Sequence, residues 1–253
     1  MINIDLSGKT ALVTGGNIGI GRAIALILAE AGADVAITYL THADDSTVNK
    51  IKQLGRKSLA LPLDASNSAE VNKAVTAVAQ EFDGHIDILV NNAGGLVKRL
   101  GVEEMSDEHW HKVIDINLTS AFYCTRAVLP YMNRGWGRIV NMSSVAAHNG
   151  GGNGSVAYAT SKGAINSFTF GLAKELAPRG ILVNAVAPGL ILDTPFHETF
   201  TPPEAQRATI ESIPLKRPGL PEDVAKLVLY LSSDLASFVT GDVAGINGGV
   251  YFA

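Results

Sequence analysis

The sequence contains a single cysteine, Cys124, so no internal disulfide can form, and no Cys/His cluster has the spacing of a zinc site. Long apolar runs are missing too. None reaches membrane-spanning length, and the stretch from Met1 to Lys9 has neither the basic start nor the apolar core of a signal peptide. The net charge is only −4, and the 20 Lys and Arg residues are scattered rather than gathered into the basic stripe that nucleic acid requires. No Ser/Pro run, charge block, low-complexity stretch or fixed-period repeat divides the chain. One domain over residues 1–253 is therefore expected, cytoplasmic, with no metal and with neither nucleic acid nor membrane as partner. The composition that remains, 47% hydrophobic against 17% charged, belongs to a packed globule.

Short apolar runs alternate with longer segments of helical period, the mark of a βαβ series and a parallel sheet. Strands are expected at Thr10–Val13, Asp34–Thr38, Ser58–Pro62, Ile86–Val90, Arg138–Asn141, Ile181–Ala185 and Asp242–Ile246. Helices are expected at Ile20–Ala31, closed by Gly32, and at Ser68–Phe82, with Ser68 as its N-cap. Two long ones run over Asp107–Asn133 and Val156–Arg179, and a last one, Glu222–Ser232, follows Pro221. Strands apolar on both faces call for helices on both sides, so the expected fold is a single Rossmann-type doubly wound parallel sheet of about seven strands.

The first strand runs into Thr14-Gly15-Gly16-Asn17-Ile18-Gly19-Ile20-Gly21 and then a helix. Glycine allows a sharp turn there and lets a pyrophosphate reach the helix N-terminus, whose dipole favours negative charge. The same glycines would serve plain packing. Asp64, after the third strand, suits an adenine amino group or, read alone, a helix cap. Asn91-Asn92-Ala93-Gly94 ends the fourth strand at the carboxyl edge of the sheet, where ligands of open α/β sheets bind.

Tyr158-Ala159-Thr160-Ser161-Lys162 puts a phenol and an ammonium four residues apart on one helix face. A free tyrosine, with a pKa of about 10, is a poor base near neutrality, and a nearby ammonium favours its phenolate. Ser144 lies just past the strand Arg138–Asn141, and Asn117 sits mid-helix, a poor place for asparagine unless its side chain has another task.

Taken together, Thr14–Gly21, Asp64, Asn91–Gly94, Asn117, Ser144, Tyr158–Lys162 and Pro188-Gly189 resemble, in order and spacing, the short-chain dehydrogenase/reductase family over essentially the whole chain. The resemblance implies hydride transfer between a nicotinamide and a carbonyl or alcohol. Tyr158 would be the acid/base, Lys162 would bind the nicotinamide ribose and depress the tyrosine pKa, Ser144 would hold the reacting oxygen, and Asn117 would keep a water for proton relay. It implies cofactor contacts from Gly15, Asn17, Ile18, Gly19, Ile20, Gly21, Tyr39, Asp64, Ala65, Asn91, Ala93, Gly94, Tyr158, Lys162, Pro188, Gly189, Ile191 and Thr194. Thr194 stands one residue later than the family pattern. A homotetramer is also implied, paired through the two long helices, which carry Phe122, Leu129, Phe168, Phe170 and Leu172, and through the C-terminal Gly249–Ala253.

NAD-binding members usually carry an acid after the second strand to accept the ribose hydroxyls. Here Thr38-Tyr39-Leu40-Thr41-His42 offers none before Asp44, which leans to NADP(H) over NAD(H). For the substrate, the stretches Asn91–Arg99, His148–Gly154 and Asp193–His197 resemble bacterial reductases of the alginate-derived keto-uronate DEH (4-deoxy-L-erythro-5-hexoseulose uronate), which yield 2-keto-3-deoxygluconate. On that resemblance Arg99 would pair the carboxylate, Lys98 less so, and His148 and His197 would meet substrate hydroxyls beside Ser144 and Tyr158. The alternatives are a 3-oxoacyl-(acyl-carrier-protein) reductase, a sugar dehydrogenase, or a catalytically silent nucleotide-binding scaffold.

Overall fold

The computed structural model describes residues 4–41, 43–132 and 135–252, without the side chain of His197. Seven strands form one parallel sheet: β1 (Thr10–Val13), β2 (Asp34–Tyr39), β3 (Ser58–Pro62), β4 (Ile88–Asn91), β5 (Gly137–Met142), β6 (Ile181–Pro188) and β7 (Val243–Ile246). Their spatial order is β3-β2-β1-β4-β5-β6-β7. The chain leaves β1 in both directions, so the crevice between β1 and β4 is the topological switch point at which such sheets bind ligands.

The helices are α1 (Gly19–Glu30), α2 (Ser46–Gln53), α3 (Ser68–Glu81), α4 (Asp107–Ile114), α5 (Ser120–Val128), α6 (Ala146–Asn149), α7 (Val156–Leu176), α8 (Pro195–Phe200), α9 (Pro203–Ser212) and α10 (Pro221–Leu231). Side chains alternate faces along a strand, and the sheet is apolar on both. Ala11, Val13, Val35, Ile37, Ile88 and Val90 pack under α1, α2 and α10, against Ile24, Leu28, Ile51 and Val228. Leu12, Ala36, Leu89 and Ile139 face the other way, against Val75, Val78, Val128 and Leu176 of α3, α5 and α7. Cys124 lies in that second layer, its thiol pushed up to about 12 by burial, so it is no candidate nucleophile. Among the described residues no helix is long and apolar enough to cross a membrane.

The expected helix Asp107–Asn133 is not continuous, and its last residue lies outside the described ones. It breaks into α4, a π-helical turn at Asp115–Thr119, α5 and a 3₁₀ turn at Leu129–Tyr131. Pro130, inside that last turn, cannot donate to an α-helical ladder. The N-cap of α3 is Asn67, not Ser68: the Asn67 Oδ1 accepts from the amides of Ala69 (3.0 Å) and Glu70 (3.2 Å). Gly32 follows the end of α1 with φ +101, a left-handed conformation that glycine takes without strain.

Candidate active site

The carboxyl ends of β1, β4, β5 and β6 open into a cavity of about 1060 Å³. At one end lies the glycine turn. Gly15 and Gly19 take φ of +64 and +52. At Gly21 a Cβ would stand 2.1 Å from the Gly15 carbonyl oxygen, so only glycine lets α1 start this close to β1. The N-cap of α1, Ile18, makes no side-chain capping bond, and the first turn holds no acidic residue. An uncapped helix N-terminus whose residues Ile18, Gly19, Ile20 and Gly21 line the cavity fits a pyrophosphate. The turn is clipped to β4 by Thr14 and Asn92, which the sequence shows within its two motifs without a role of their own. Asn92 Nδ2 donates to the carbonyls of Thr14 (2.9 Å) and Gly15 (3.2 Å). Thr14 Oγ1 accepts from the amides of Asn92 and Ala93, both at 3.0 Å.

Asn91 itself is not at the cavity wall. Its side chain is buried on the far side of the strand, donating to Asn141 Oδ1 (2.8 Å) and Thr125 Oγ1 (3.2 Å). Strand alternation sends Asn91 and Asn92 to opposite faces, and Asn92 is the one that lines the cavity. Tyr39, Asp64 and Ala65 also line the cavity, with one Asp64 oxygen accepting from the Ser66 amide and hydroxyl. Asp44, the first acid after β2, is held by Ser46 through both oxygens, at 2.8 and 2.6 Å.

At the other end stand Ser144, Tyr158 and Lys162. Burial pushes the Tyr158 phenol up, opposed by a hydrogen bond from Ser144. No lowering by Lys162 outweighs that burial as the site is folded, contrary to the expectation from the sequence. Lys162 is buried, its Nζ donating to the Met142 carbonyl at 2.7 Å and standing 5.6 Å from the centre of the Tyr158 ring. Burial pulls its pKa down from 10.5 to about 8. Asn117 sits in the π turn with its amide committed: it donates to the carbonyls of Gly95 (2.8 Å) and Val113 (2.9 Å), and its oxygen accepts the Gly95 amide at 3.0 Å. π turns recur at functional positions, and this one ties the helix to the loop after β4. The Gly94 backbone lies so close that a Cβ there would meet Asn117 Oδ1 at 2.5 Å and Lys162 Nζ at 3.5 Å.

Pro188, Gly189, Ile191 and Thr194 line the wall between these ends. Thr194 is buried and donates its hydroxyl to the Ile191 carbonyl at 3.0 Å, so the displaced threonine keeps a place in the site. Just beyond it, α8 lays Phe196 against Tyr158, ring centres 5.7 Å apart, with Phe200 5.4 Å further on. Leu96, Ile116, Phe196, Phe200 and Val250 supply apolar lining to the cavity, alongside the polar Arg99, Asn149, Asn153, Thr199 and Thr201. Of the expected substrate contacts, Arg99 reaches the cavity, but its guanidinium already donates to the carbonyls of Phe200 (3.2 Å) and Asn153 (3.1 Å). Lys98 is exposed and stands outside the lining. His148 does not line the cavity either; its ring stacks on Tyr251 at 4.7 Å. The His197 side chain lies outside the described residues. Among those residues no group of three His, Cys, Asp or Glu side chains is placed to hold a metal.

An uncapped glycine-turn helix at a sheet switch point, with Ser, Tyr and Lys at the far end of the same cavity, defines an oxidoreductase built on a dinucleotide fold. Residues 15–251 match the family described as enoyl-(acyl carrier protein) reductase. The chain belongs to the short-chain dehydrogenase/reductase family, and it is an NAD(P)-dependent oxidoreductase acting on the CH–OH/C=O pair. It is 44% identical over 253 residues to the 3-oxoacyl-(acyl-carrier-protein) reductase FabG of Aquifex aeolicus, covering 99% of this chain and 100% of that protein. It is 41% identical to the protein of the same name from Thermotoga maritima, covering 97% and 98%. A solved short-chain dehydrogenase from Burkholderia cenocepacia, in complex with NADP, superposes with a TM-score of 0.90 at 36% identity, covering 97% of this chain and 98% of that one.

Proposed function

We propose that this chain is an NADPH-dependent 3-oxoacyl thioester reductase. The observation that carries the proposal is the apolar surface laid against the reactive phenol, Phe196 on Tyr158 and Phe200 beyond it, with Leu96, Ile116 and Val250 in the same cavity lining. An acyl chain is matched by such a wall. A polyhydroxy keto-uronate would need its carboxylate paired, since a charge buried unpaired costs several kcal/mol, and Arg99 is engaged by two main-chain carbonyls. Relatives named 3-oxoacyl-(acyl-carrier-protein) reductase, matched along their whole length, support the same reading over the alginate one. NADPH is favoured because β2 ends at Tyr39 and runs into Leu40 and Thr41 with no carboxylate to accept the ribose hydroxyls, and the first acid beyond, Asp44, is turned to Ser46.

Residues Gly15, Asn17–Gly21, Tyr39, Asp64, Ala65, Ala93, Gly94, Pro188, Gly189, Ile191 and Thr194 would hold the cofactor. Bound there, the nicotinamide supplies the hydride. Tyr158 delivers the proton to the carbonyl oxygen, a contribution typically worth about 10²–10⁴-fold in rate. Ser144 accepts the Ala146 amide at 3.1 Å, which fixes its oxygen while its hydroxyl proton turns to the phenol or the substrate oxygen. Lys162, still largely protonated at neutrality, supplies positive charge beside the developing phenolate, and Asn117 keeps the loop after β4 against it.

Phe122 and Phe170 stand exposed on α5 and α7, whereas Leu172 is core. The exposed pair suits a two-fold contact, and a cytoplasmic homotetramer is the proposed assembly, read by light scattering at micromolar concentration. The decisive assay follows NADPH and NADH oxidation against acetoacetyl thioesters, keto-uronates and sugars. Turnover of thioesters with NADPH is expected. Turnover of the keto-uronate alone would return the assignment to alginate breakdown, and no turnover of any member would leave the nucleotide-binding scaffold.

A further inference from the structure

Beyond β7 the chain turns back on itself. Asn247 builds the turn: its Oδ1 accepts the Gly249 amide (2.9 Å), its Nδ2 donates to the Tyr251 carbonyl (3.0 Å), and its own carbonyl accepts the Val250 amide (3.3 Å). Gly248 and Gly249 take φ of +66 and +90, and a Cβ at Gly248 would meet the Ile213 side chain at 2.6 Å. The turn delivers Val250 to the wall of the large cavity. It also lays the Tyr251 ring on the His148 imidazole, 4.7 Å apart and tilted by only 20°. His148 belongs to α6, the short helix that follows Ser144. Its neighbours Val145, Ala146 and Asn149 line the same cavity. The tail is thus seated on the segment that presents Ser144.

We infer that Val250 is a specificity wall that limits the apolar part of the substrate beyond its reacting carbonyl, and that Tyr251, stacked on His148, is what seats this wall. The inference rests on the reductase reading above. His148, expected from the sequence to meet a substrate hydroxyl, acts instead through Tyr251. The ligand portion that the wall measures is hydrocarbon, because Val250 offers only methyl groups.

The test compares kcat/KM for acetoacetyl thioester and for longer 3-oxoacyl thioesters, with NADPH, in the full-length protein. Tyr251→Ala and His148→Ala release the wall, and the long-to-short ratio should rise by roughly tenfold, the scale at which apolar pockets discriminate. Val250→Phe thickens the wall and should move the ratio the opposite way. His148→Phe keeps a flat ring under Tyr251 and should keep the wild-type ratio. NADPH affinity, read by fluorescence, should stay at the wild-type value throughout. A ratio unmoved in both Tyr251→Ala and Val250→Phe overturns the inference, as does a parallel loss of NADPH affinity. A wild type that reduces none of the series refutes the reductase reading separately. The seating is then read by hydrogen exchange of residues 146–151, which should speed up markedly in Tyr251→Ala; unchanged exchange overturns the seating of the wall by Tyr251 on His148.

Discussion

Replacing Lys162 by methionine should make the protein more stable and inactive. The side chain is buried, and its amine is held at a pKa of about 8 against 10.5 in water. At about 1.36 kcal/mol per pKa unit, the fold carries the ammonium at an expense of about 3 kcal/mol. Below pH 8 both folded and unfolded chains bind the proton, so the whole penalty is present. From about pH 8 to 10.5 the unfolded chain still binds it while the folded chain has released it, and wild-type stability therefore gains on that of the variant as pH rises. Methionine keeps the stem packed but loses the bond to the Met142 carbonyl, a loss of about 1.5–3 kcal/mol for a bond to a charged group. The variant should be more stable by up to about 2 kcal/mol near neutrality. That advantage should fall by about 3 kcal/mol between pH 7 and 10.5. Urea unfolding of both proteins at several pH values measures it. A stability difference that does not change with pH refutes the argument, because the lysine would then titrate alike in both states.

Tyr158→Phe should lower turnover by about 10²–10⁴-fold with NADPH binding intact; near-full turnover sinks the assignment of the proton donor. Gly21→Ala drives a Cβ onto the Gly15 carbonyl oxygen at 2.1 Å, so the glycine turn must open and NADPH affinity should drop by tenfold or more, by about 1.4 kcal/mol or above, in a fluorescence titration. Arg99→Ala frees α8 from its strap at the Phe200 carbonyl, and KM should rise several-fold for charged and uncharged carbonyl substrates alike. A rise confined to keto-uronates would instead restore the carboxylate role.

Much of this molecule is legible along the chain because the signals are local. Short apolar runs locate the strands and a helical period the longer helices, whereas α2, α6, α8 and α9 were not expected; the glycine turn, Tyr158 and Lys162 follow from spacing on single elements. Even so, a few residues decide the outcome at element ends. Asn67, rather than the Ser68 beside it, caps α3, since only the side chain outside the helix reaches back to the free amides. Asn117 was legible as an asparagine out of place, but the π turn that its amide spans was not, because its partner Gly95 lies 22 residues earlier, in the loop after β4. The rest depends on which surfaces meet. Asn91 and Asn92 are neighbours in sequence, and strand register alone sends one into the interior and the other to the glycine turn. Arg99 and His148 looked like substrate ligands by type; Phe200 and Tyr251, each about a hundred residues away, claim them. The Lys162 ammonium was expected to lower the Tyr158 pKa through its charge, yet burial is the largest influence on both groups. Burial is a property of the packed fold, since the water excluded from a side chain is displaced by residues distant in the chain. The sequence by itself determined the strands, the longer helices and the spacing of Tyr158 and Lys162, and tertiary packing decided which neighbours each polar group would face.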